Sequence, residues 1–548
     1  MPEYWNIAHG RNAAKTRIVE LQPAMSSYPI RNLERFDELV SDRVLKFLLT
    51  AILVVIGVRL WLMPLPSSFW VDEMATVFVV HHGAQDPSLT VAPQVAQSIY
   101  YVLPKVAARL LGDSEIAYRL PSVFAMAGVL FLVARLAIRL IHPQAAWFAV
   151  FASLSLRGIN YQADDARPYA LGTFVAAVSV LLMVRWLDSA RWSDGLLFVA
   201  AAALLWRVHL IYWPFYAIFP VYTFSRLMRR ETEVTARHAA AMFGLLGISL
   251  LPVLNSAIAL NRQAAAHVVA RVPTLNDLIT EMKLGLIVGS CAIAVMAGRW
   301  FHWPQATNRV CSPSSLLLIL CLWLSQPLGL FGFSWITGNS VFLPRYLSIA
   351  LPGAALTATL AAAPFIPAAR WKAVSFALGV GILLFMGQWG HAWPVHHDSG
   401  WKTEALRINK LGLGPDVPVI CPSPFIEARP QAWKPDYSQP GFLYAHLPVY
   451  PIAGRIYPFP FKSSPEAEAY ATRLSREKLA AEERFIIYGG AGSVLFWSDW
   501  FSTRLELSGR TRIRLGPVGD VDAVLFEKAP LSASDGHFSH RSLNYSQR

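Results

Sequence analysis

Two acidic pairs lie beside apolar segments of the chain, and their carboxylates are the first candidates for chemistry. Asp72 and Glu73 stand in the stretch "SFWVDEMAT", shortly after an apolar run that ends near Met63. Asp164 and Asp165 stand in "NYQADDARPYAL", between two further apolar runs. Carboxylates at a membrane boundary are costly unless they transfer protons or pair with cations. Both pairs are expected on the same side of a helical bundle, which can bring them together.

Structural roles remain open for both pairs. The stretch "SSFWVDE" is also the acidic start that a helix dipole favours, and in that setting Glu73 would only be solvated or paired. Asp165 could form an ordinary ion pair with Arg167, two residues further along the chain.

The composition is that of a membrane protein. Of 548 residues, 54% are hydrophobic and only 15% are charged, and the mean hydropathy is +0.39. Runs of roughly 18 or more apolar residues, each long enough to cross a bilayer as a helix, recur over the first three quarters of the chain. The basic residues behind the formal charge of +13 lie largely in short links between these runs, which predicts membrane orientation and no nucleic-acid partner.

The apolar runs predict about eleven spans in a bilayer, and the short ones that end near Leu156 and Trp206 could instead be half-spans or tilted packing helices. The basic segment 1–43 is expected to be a cytoplasmic tail, and positive charges in alternate links place residues 64–118 and everything after about 392 on the periplasmic or extracellular face. We therefore expect a multi-pass protein of a bacterial-type inner (plasma) membrane. The predicted spans are 44–63, 119–141, 143–157, 168–187, 195–207, 209–225, 238–258, 279–299, 314–333, 343–363 and 372–391.

Three regions follow from this pattern. Residues 44–391 form the predicted transmembrane domain, and its first outer loop, 64–118, contains an amphipathic stretch at 91–111, interrupted at Pro104, that predicts an interfacial helix. Residues 392–531 are predicted to form an outer-face soluble α/β domain, with strands at "PVIC", "RFIIYGG" and "DAVLFEK" and a charged helix at "EAEAYATRLSREKLAAEER". Residues 532–548 predict a disordered tail.

The histidines do not predict an obligatory metal. His81 and His82 are adjacent, and adjacent histidines do not easily ligate one ion together. The run His396, His397 and Asp398 is no better placed for a metal. A divalent metal remains an option that the ligand spacing does not support.

Four stretches, in this order, carry a family resemblance: "VDE" after the first span, "QSIYYVLPKVAARLLGDSEIAYRLPS" at 97–122, "ADDARPYAL" at 163–171, and "LPRYLSIALPG" at 343–353. Together they resemble the GT-C glycosyltransferases of the protein-mannosyltransferase and aminoarabinose-transferase kind, and more narrowly the bacterial dolichyl-phosphate-mannose-protein mannosyltransferase-like proteins. The similarity covers about residues 44–365, and "GDSEIAYRLPS" is its most specific piece. Many relatives have His-Pro-Pro-Leu-Tyr where this chain has residues 97–101, "QSIYY", so the acceptor type does not carry over.

The resemblance implies a membrane-embedded inverting transferase of the GT-C fold. It would take a sugar from a polyprenyl-phosphate carrier on the outer face and pass it to a hydroxyl of an envelope glycan, a lipid or a protein. Such an enzyme needs a base for the acceptor hydroxyl and cations for the departing phosphate. By the resemblance, Asp72 is the general base, and Asp165 orients the acceptor or binds Arg167. Asp164 replaces Asp165 if the register differs by one, and Glu73 has a supporting role at the substrate.

Cationic side chains on the outer side would bind the phosphate. Arg345 is the first choice, because Arg345 and Tyr346 in "LPRYLSI" resemble the family's Arg-Tyr pair; the alternative is snorkelling of Arg345 to the interface. Arg167 and Arg207 are further candidates. Three more candidates have alternative roles. Arg119 could instead pair with Glu115, Lys105 could instead contact lipid headgroups, and His209 could instead be a buried packing residue.

Two other classes of function fit a polytopic protein. A secondary transporter would show repeat symmetry and broken helices at matching places in two halves, and its acidic residues would lie in mid-span. The sequence shows no such repeat, and its acids lie at the boundary. A non-catalytic scaffold for envelope assembly is the other alternative.

Overall fold

The computed structural model describes residues 28–92, 95, 98–267, 270–303, 311–429, 433, 435 and 441–528. The first part of the predicted cytoplasmic tail and the predicted C-terminal tail lie outside these residues. The chain divides into two compact units, 1–48 and 49–548. The first helix begins in the first unit, and the elements that follow it belong to the second.

All regular secondary structure in the described chain as far as residue 386 is helical. Helices begin earlier than expected at the N-terminal end, where the first helix starts at Tyr28 and not at residue 44. The helices are α1 (Tyr28–Gly57), α2 (Val71–His82), α3 (Val102–Leu111), α4 (Glu115–Leu140), α5 (Ala146–Leu154), α6 (Arg157–Ala163), α7 (Tyr169–Ser189), α8 (Trp192–Val208), α9 (Ile218–Met228), α10 (Ala236–His267), α11 (Leu275–Glu281), α12 (Leu284–Trp300), α13 (Pro313–Thr337), α14 (Leu351–Ala362) and α15 (Trp371–Met386).

The protein is a polytopic α-helical membrane protein. Within the described residues, seven helices are long and apolar enough to cross a membrane, or eight if the pair α11 and α12, bent by 49°, is one span. The predicted spans 143–157, 195–207, 209–225 and 279–299 are not among the seven. The seven are Asp42–Leu62, Glu115–Leu140, Tyr169–Ser189, Ala236–Ile258, Pro313–Thr337, Pro344–Phe365 and Ala368–Met386.

Local breaks explain the lower count. The predicted span 143–157 contains only the short helix α5, which ends at Leu154, and an extended Leu156 precedes the start of α6 at Arg157. The predicted span 209–225 begins as a 3-10 helix that contains Pro214, which removes a helical hydrogen bond. Helix α8 has 17 residues, at the lower limit for crossing a bilayer. Hydropathy does not detect such breaks, because a broken apolar helix is as hydrophobic as a continuous one.

The loop 64–118 contains α2 and α3. Helix α2 begins at Val71, and the backbone N–H of Trp70 donates to Glu73 Oε2 at 3.2 Å. Asp72 and Glu73 therefore lie in the first turn, where the helix dipole favours acidic side chains. The interfacial helix expected over 91–111 is shorter: α3 starts at Val102, and Pro104 lies in its first turn, where proline is tolerated.

The C-terminal region forms an α/β domain around one five-stranded sheet. The strand order is β2-β1-β3-β5-β4, with β1 parallel to β2 and β3, and with β5 antiparallel to β3 and β4. The elements are α16 (Trp401–Lys410), β1 (Pro418–Pro422), α17 (His446–Val449), β2 (Arg455–Phe459), α18 (Pro465–Leu474), β3 (Arg484–Gly490), α19 (Ala491–Ser502), β4 (Arg510–Arg514) and β5 (Val521–Lys528).

The three predicted strands are confirmed as β1, β3 and β5, and the charged helix begins as α18. The sequence analysis missed β4, because this edge strand is largely exposed and reads "RTRIR", without apolar alternation. It also missed β2, "RIYPF".

The α/β domain packs directly on the loop 64–118. The ring of Phe442 lies 5.7 Å from the ring of Phe78 on α2, and the Phe442 backbone N–H donates to Ser88 Oγ at 2.9 Å. The Phe69 backbone N–H donates to the Tyr450 hydroxyl at 2.9 Å. The loop that presents Asp72 is therefore held between the membrane helices and the C-terminal domain.

Candidate active site

A large cavity lies where α2, the ends of several membrane helices and the C-terminal domain meet. Its volume is about 960 Å³, at the upper end of the roughly 300–1,000 Å³ typical of ligand sites. Apolar side chains from two spans, including Ile258 and Phe333, form part of its wall, and residues 424–427 of the C-terminal domain form another part. The charged and polar side chains that line it include Asp72, Ser98, Arg167, Arg207, His209, Arg345 and Tyr346.

Asp72 and Arg345 face each other at the polar end of this cavity. Arg345 Nη1 lies 3.5 Å from Asp72 Oδ2, and the two side chains are 33% and 26% exposed. Arg167 Nη1 donates to the backbone carbonyl of Asp72 at 2.9 Å. One carboxylate and two guanidinium groups are thus brought together from the first loop, the 164–167 segment and the start of the Pro344–Phe365 span.

Aromatic rings surround the two guanidinium groups. Arg345 lies over the rings of Trp70 and Tyr346, at 5.8 and 5.5 Å from their centroids, and Arg167 lies 5.9 Å from the ring centroid of Tyr169. A cation over an aromatic face is held without losing its free N–H donors. The Nε atoms of both arginines are buried and have no hydrogen-bond partner among the described residues. Donors remain for an anionic ligand.

His209 lies beside this group as a neutral ring. It stacks on Tyr169 at 5.6 Å, and its Nδ1 accepts from the backbone N–H of Ile211 at 3.2 Å. Burial, together with the charges of Arg167 and Arg345, lowers the pKa of His209 to about 3. His209 therefore lines the cavity without adding a positive charge.

Glu73 and Arg119 form a buried ion pair away from the cavity wall. Arg119 Nη2 and Nε donate to the Glu73 carboxylate at 2.5 and 2.7 Å, and both side chains have 0% exposure. Arg119 also donates to backbone carbonyls of the 64–68 turn, such as that of Leu65 at 2.8 Å. Burial alone would raise the pKa of Glu73, but the Arg119 guanidinium holds it below its usual value. The alternative pairing of Arg119 with Glu115 is wrong.

The same glutamate ties the two acidic segments together. Glu73 Oε1 accepts from the Ala166 backbone N–H at 2.8 Å, and Thr76 Oγ1 donates to the Ala166 carbonyl at 2.7 Å. Both backbone groups of Ala166 are therefore bonded to α2. This contact sets the position of Arg167 relative to Asp72.

Asp164 and Asp165 are buried and contact a histidine from the far side of the sequence. Asp164 Oδ1 lies 2.8 Å from His396 Nδ1, and Asp165 Oδ1 lies 3.6 Å from His396 Nε2. Burial raises the pKa values of both aspartates, and these two carboxylates overcome burial to raise the pKa of His396 to about 10. The ion pair expected between Asp165 and Arg167 is not formed within the described residues.

Trp70 connects this buried cluster with the cavity. Its indole Nε1 donates to Asp165 Oδ1 at 3.1 Å, and its ring stacks on His397 at 5.2 Å with planes 3° apart. Arg345 lies over the same indole. Asp165 is thus one side chain removed from the Asp72 and Arg345 pair.

The predicted substrate-binding residues separate into two groups. Arg167, His209, Arg345 and Tyr346 line the cavity with Asp72. Lys105 is exposed on α3, and Arg119 and Glu73 are sealed in their ion pair, so their positions do not support contact with a substrate in this cavity. Asp164 and Asp165 lie behind Trp70.

The cluster is a poor fit for a metal ion. Glu73, Asp165 and His396 each place one potential ligand atom within 4.8 Å of the others. However, the Glu73 oxygens already accept from the Arg119 guanidinium, and a divalent cation would have to displace this charge. These side chains suit an ion-pair network better than a metal site.

Sequence reasoning missed His396 and Trp70. The histidine pair at 396–397 was considered only as a metal ligand, and the contact of His396 with Asp164 spans 232 residues of sequence. Trp70 stands next to the acidic pair in "FWVDE", and this adjacency was the one local signal for it.

Comparisons with known proteins give structural likenesses only. No protein-family model matches the sequence, and no curated protein matches it. The chain is similar to ArnT from Cupriavidus metallidurans in the apo state, with a TM-score of 0.49 and 13% identity over 89% of this chain and 98% of that one. For the same protein bound to undecaprenyl phosphate, the TM-score is 0.48 at 12% identity, covering 87% and 97%. For arabinosyltransferase EmbB from Mycobacterium smegmatis, it is 0.32 at 15% identity, covering 54% and 29%.

Proposed function

We propose that the protein is an inverting membrane glycosyltransferase. It moves a sugar from a polyprenyl-phosphate carrier to a hydroxyl acceptor on the periplasmic or extracellular face of the membrane. The observation that carries the proposal is the partly exposed Asp72 carboxylate on the wall of a cavity of about 960 Å³ that also presents Arg167 and Arg345. A base and two phosphate-binding cations are the groups that this reaction requires.

Asp72 is the general base in this proposal. It takes the proton of the acceptor hydroxyl as the acceptor oxygen bonds to the anomeric carbon of the sugar. The bond from that carbon to the phosphate oxygen breaks in the same step, which inverts the configuration. The charge that develops on the leaving phosphate is stabilised by the guanidinium groups of Arg345 and Arg167.

The contact between Asp72 and Arg345 gives the order of events. At 3.5 Å the pair is loose, and each side chain keeps some exposure. The donor phosphodiester carries one negative charge, as a carboxylate does, but it presents more acceptor oxygens to a guanidinium group, so it can replace Asp72 at Arg345. Binding of the donor therefore releases the Asp72 carboxylate to accept a proton.

The apolar part of the cavity suits the lipid portion of such a donor. Ile258 belongs to the span Ala236–Ile258, and Phe333 belongs to the span Pro313–Thr337. An isoprenoid chain gains free energy by burial against such side chains, on the order of 0.8 kcal/mol per CH₂ group. The acceptor, a glycan, lipid or protein, would approach from the side of the C-terminal domain, whose residues 424–427 complete the wall.

Reconstitution with polyprenyl-phosphate sugars tests the proposal. The purified protein in lipid nanodiscs is incubated with a panel of such donors, and the free carrier phosphate is measured together with the glycosylated product. Asp72→Asn is expected to reduce transfer about 10²- to 10⁴-fold, the usual contribution of a general base. Asp113→Asn, an exposed acid of the same loop paired with His81, is the matched control and keeps full activity.

Undiminished transfer by Asp72→Asn would remove Asp72 from the mechanism. Absence of transfer from every donor, with the protein folded, would contradict the assignment as a transferase. Mass spectrometry of cell-envelope glycans with and without the protein identifies the sugar and the acceptor.

A further inference from the structure

His396 lies fully buried between two aspartates, ten residues after α15 ends at Met386. Its Nδ1 is within hydrogen-bond distance of Asp164, and its Nε2 faces Asp165 at 3.6 Å. The ring of Tyr161 packs on it at 4.5 Å. The segment that leads into the α/β domain thus inserts one side chain into the acidic site of the membrane domain.

The charges around the site favour a cation at this side chain. Four carboxylates meet here, and three guanidinium groups face them. An imidazolium at position 396 makes the group neutral, and the pKa of His396, which Asp164 and Asp165 raise to about 10, agrees with this state. Buried charges are tolerated when each has a counter-charge. The carboxylates are Asp72, Glu73, Asp164 and Asp165, and the guanidinium groups are those of Arg119, Arg167 and Arg345.

A short series of contacts leads from His396 to the cavity. His396 faces Asp165 Oδ1, and the same oxygen accepts from Trp70 Nε1 at 3.1 Å. The indole of Trp70 lies under Arg345, whose guanidinium faces Asp72. The ring of the neighbouring His397 stacks parallel to the Trp70 indole, with the ring centroids 5.2 Å apart. Displacement of the Asp165 carboxylate would therefore move the indole that supports Arg345.

We propose that His396 is a positioning residue of the transferase. It holds Asp165, and through Asp165 and Trp70 it fixes Arg345 where the donor phosphate binds. The proposal rests on the proposed function, because it assigns Arg345 to the phosphate of the donor. It also gives the segment between the last span and the α/β domain a part in donor binding.

A role limited to anchoring the α/β domain predicts different kinetics. Loss of an anchor lowers the melting temperature and the amount of active enzyme, but it leaves the KM values of the remaining active enzyme unchanged. Loss of a positioning residue weakens interactions with one substrate. We therefore expect loss of His396 to lower kcat/KM for the donor and to leave the acceptor KM unchanged, because the contacts of His396 lead to Arg345.

The test compares His396→Gln with His391→Gln in the full-length protein in nanodiscs. Glutamine can still donate a hydrogen bond to Asp164 but carries no charge, and His391 is an exposed histidine of the same segment. For His396→Gln, we expect kcat/KM for the donor to fall about 10- to 100-fold, as misplacement of a catalytic group does. The acceptor KM and the values for His391→Gln stay at the wild-type level.

Trp70→Phe provides the second variant, since phenylalanine keeps a ring under Arg345 but lacks the indole N–H. If the contacts act in series, Trp70→Phe lowers kcat/KM for the donor, and the double variant with His396→Gln is no worse than the poorer single variant. Multiplicative losses, or a wild-type donor kcat/KM for His396→Gln, would overturn the proposal.

Binding of undecaprenyl phosphate separates this proposal from the proposed function. His396→Gln is expected to weaken binding in the same direction as Arg345→Ala, whether or not turnover is found. Weakened binding in both variants without turnover of any donor by the wild type contradicts the transferase and keeps the positioning role. Turnover with unchanged binding in His396→Gln keeps the transferase and overturns the positioning role.

Discussion

The Asp72 carboxylate lies 3.5 Å from the Arg345 guanidinium, although the two residues are 273 positions apart in the sequence. The pair stands at the polar end of a cavity whose remaining wall is largely apolar. In the proposed mechanism, pairing of Asp72 with Arg345 keeps both charges compensated while the cavity holds no donor. Exchange of this pairing for the donor phosphate would then free the proposed base.

Arg345 variants test the phosphate site. Arg345→Ala removes a charge-assisted contact worth about 1.5–3 kcal/mol, so we expect about a 10- to 150-fold loss in kcat/KM for the donor. Arg345→Lys is expected to lose less kcat/KM for the donor than Arg345→Ala, because lysine keeps the charge but not the planar fork of the guanidinium group. Steady-state kinetics measures both. Arg370→Ala, an exposed arginine at the start of the last span, is the control. Equal donor kinetics in Arg345→Ala and the wild type would exclude Arg345 from the phosphate site.

Glu73→Gln tests the buried ion pair as a structural element. It leaves the Arg119 charge uncompensated at 0% exposure, and such a break costs about 3–5 kcal/mol. We expect a clearly lower melting temperature in detergent. Asp499→Asn breaks an exposed pair with Arg512 and is expected to cost about 0–1 kcal/mol. A Glu73→Gln protein as stable as Asp499→Asn contradicts the structural role.

The His396 imidazolium predicts a pH-dependent stability. Its pKa is raised from 6.5 to about 10 in the folded protein. The stabilisation is therefore complete below the unfolded pKa and is lost as the pH rises through about 10. The difference in melting temperature between the wild type and His396→Gln should be large near neutral pH and shrink above the folded pKa. A difference that stays constant across this window contradicts a buried imidazolium.

A substitution at Gly353 tests the packing of the membrane helices. A Cβ atom at this position of α14 would lie 2.4 Å from the backbone carbon of Leu322 on α13. Gly353→Ala is expected to destabilise by about 1–3 kcal/mol, the usual cost of overpacking, and the melting temperature measures it. At Gly244 on α10, an added Cβ meets nothing within 4 Å, so Gly244→Ala should be neutral or slightly stabilising. Equal stability of the two variants would show that α13 and α14 can separate.

Local patterns in the sequence were enough for much of the architecture. Apolar length and low charge identified a polytopic helical protein, and apolar runs bounded by turn residues identified β1, β3 and β5. These features depend on residues near one another in the chain. The helix bounds were less predictable, because breaks such as those at Leu156 and Pro214 change the backbone without changing the hydropathy.

The candidate site was only partly predictable, because many of its contacts join residues that are far apart in the sequence. The sequence placed Asp72 in a turn or helix start close to the membrane and Arg345 at the start of a span. The tertiary structure alone decided that Glu73 pairs with Arg119, that Asp165 contacts Trp70, and that His396 inserts beside Asp164. These contacts join residues 46 to 232 positions apart. Charge compensation inside a folded protein depends on distance in space, and no spacing along the chain encodes it.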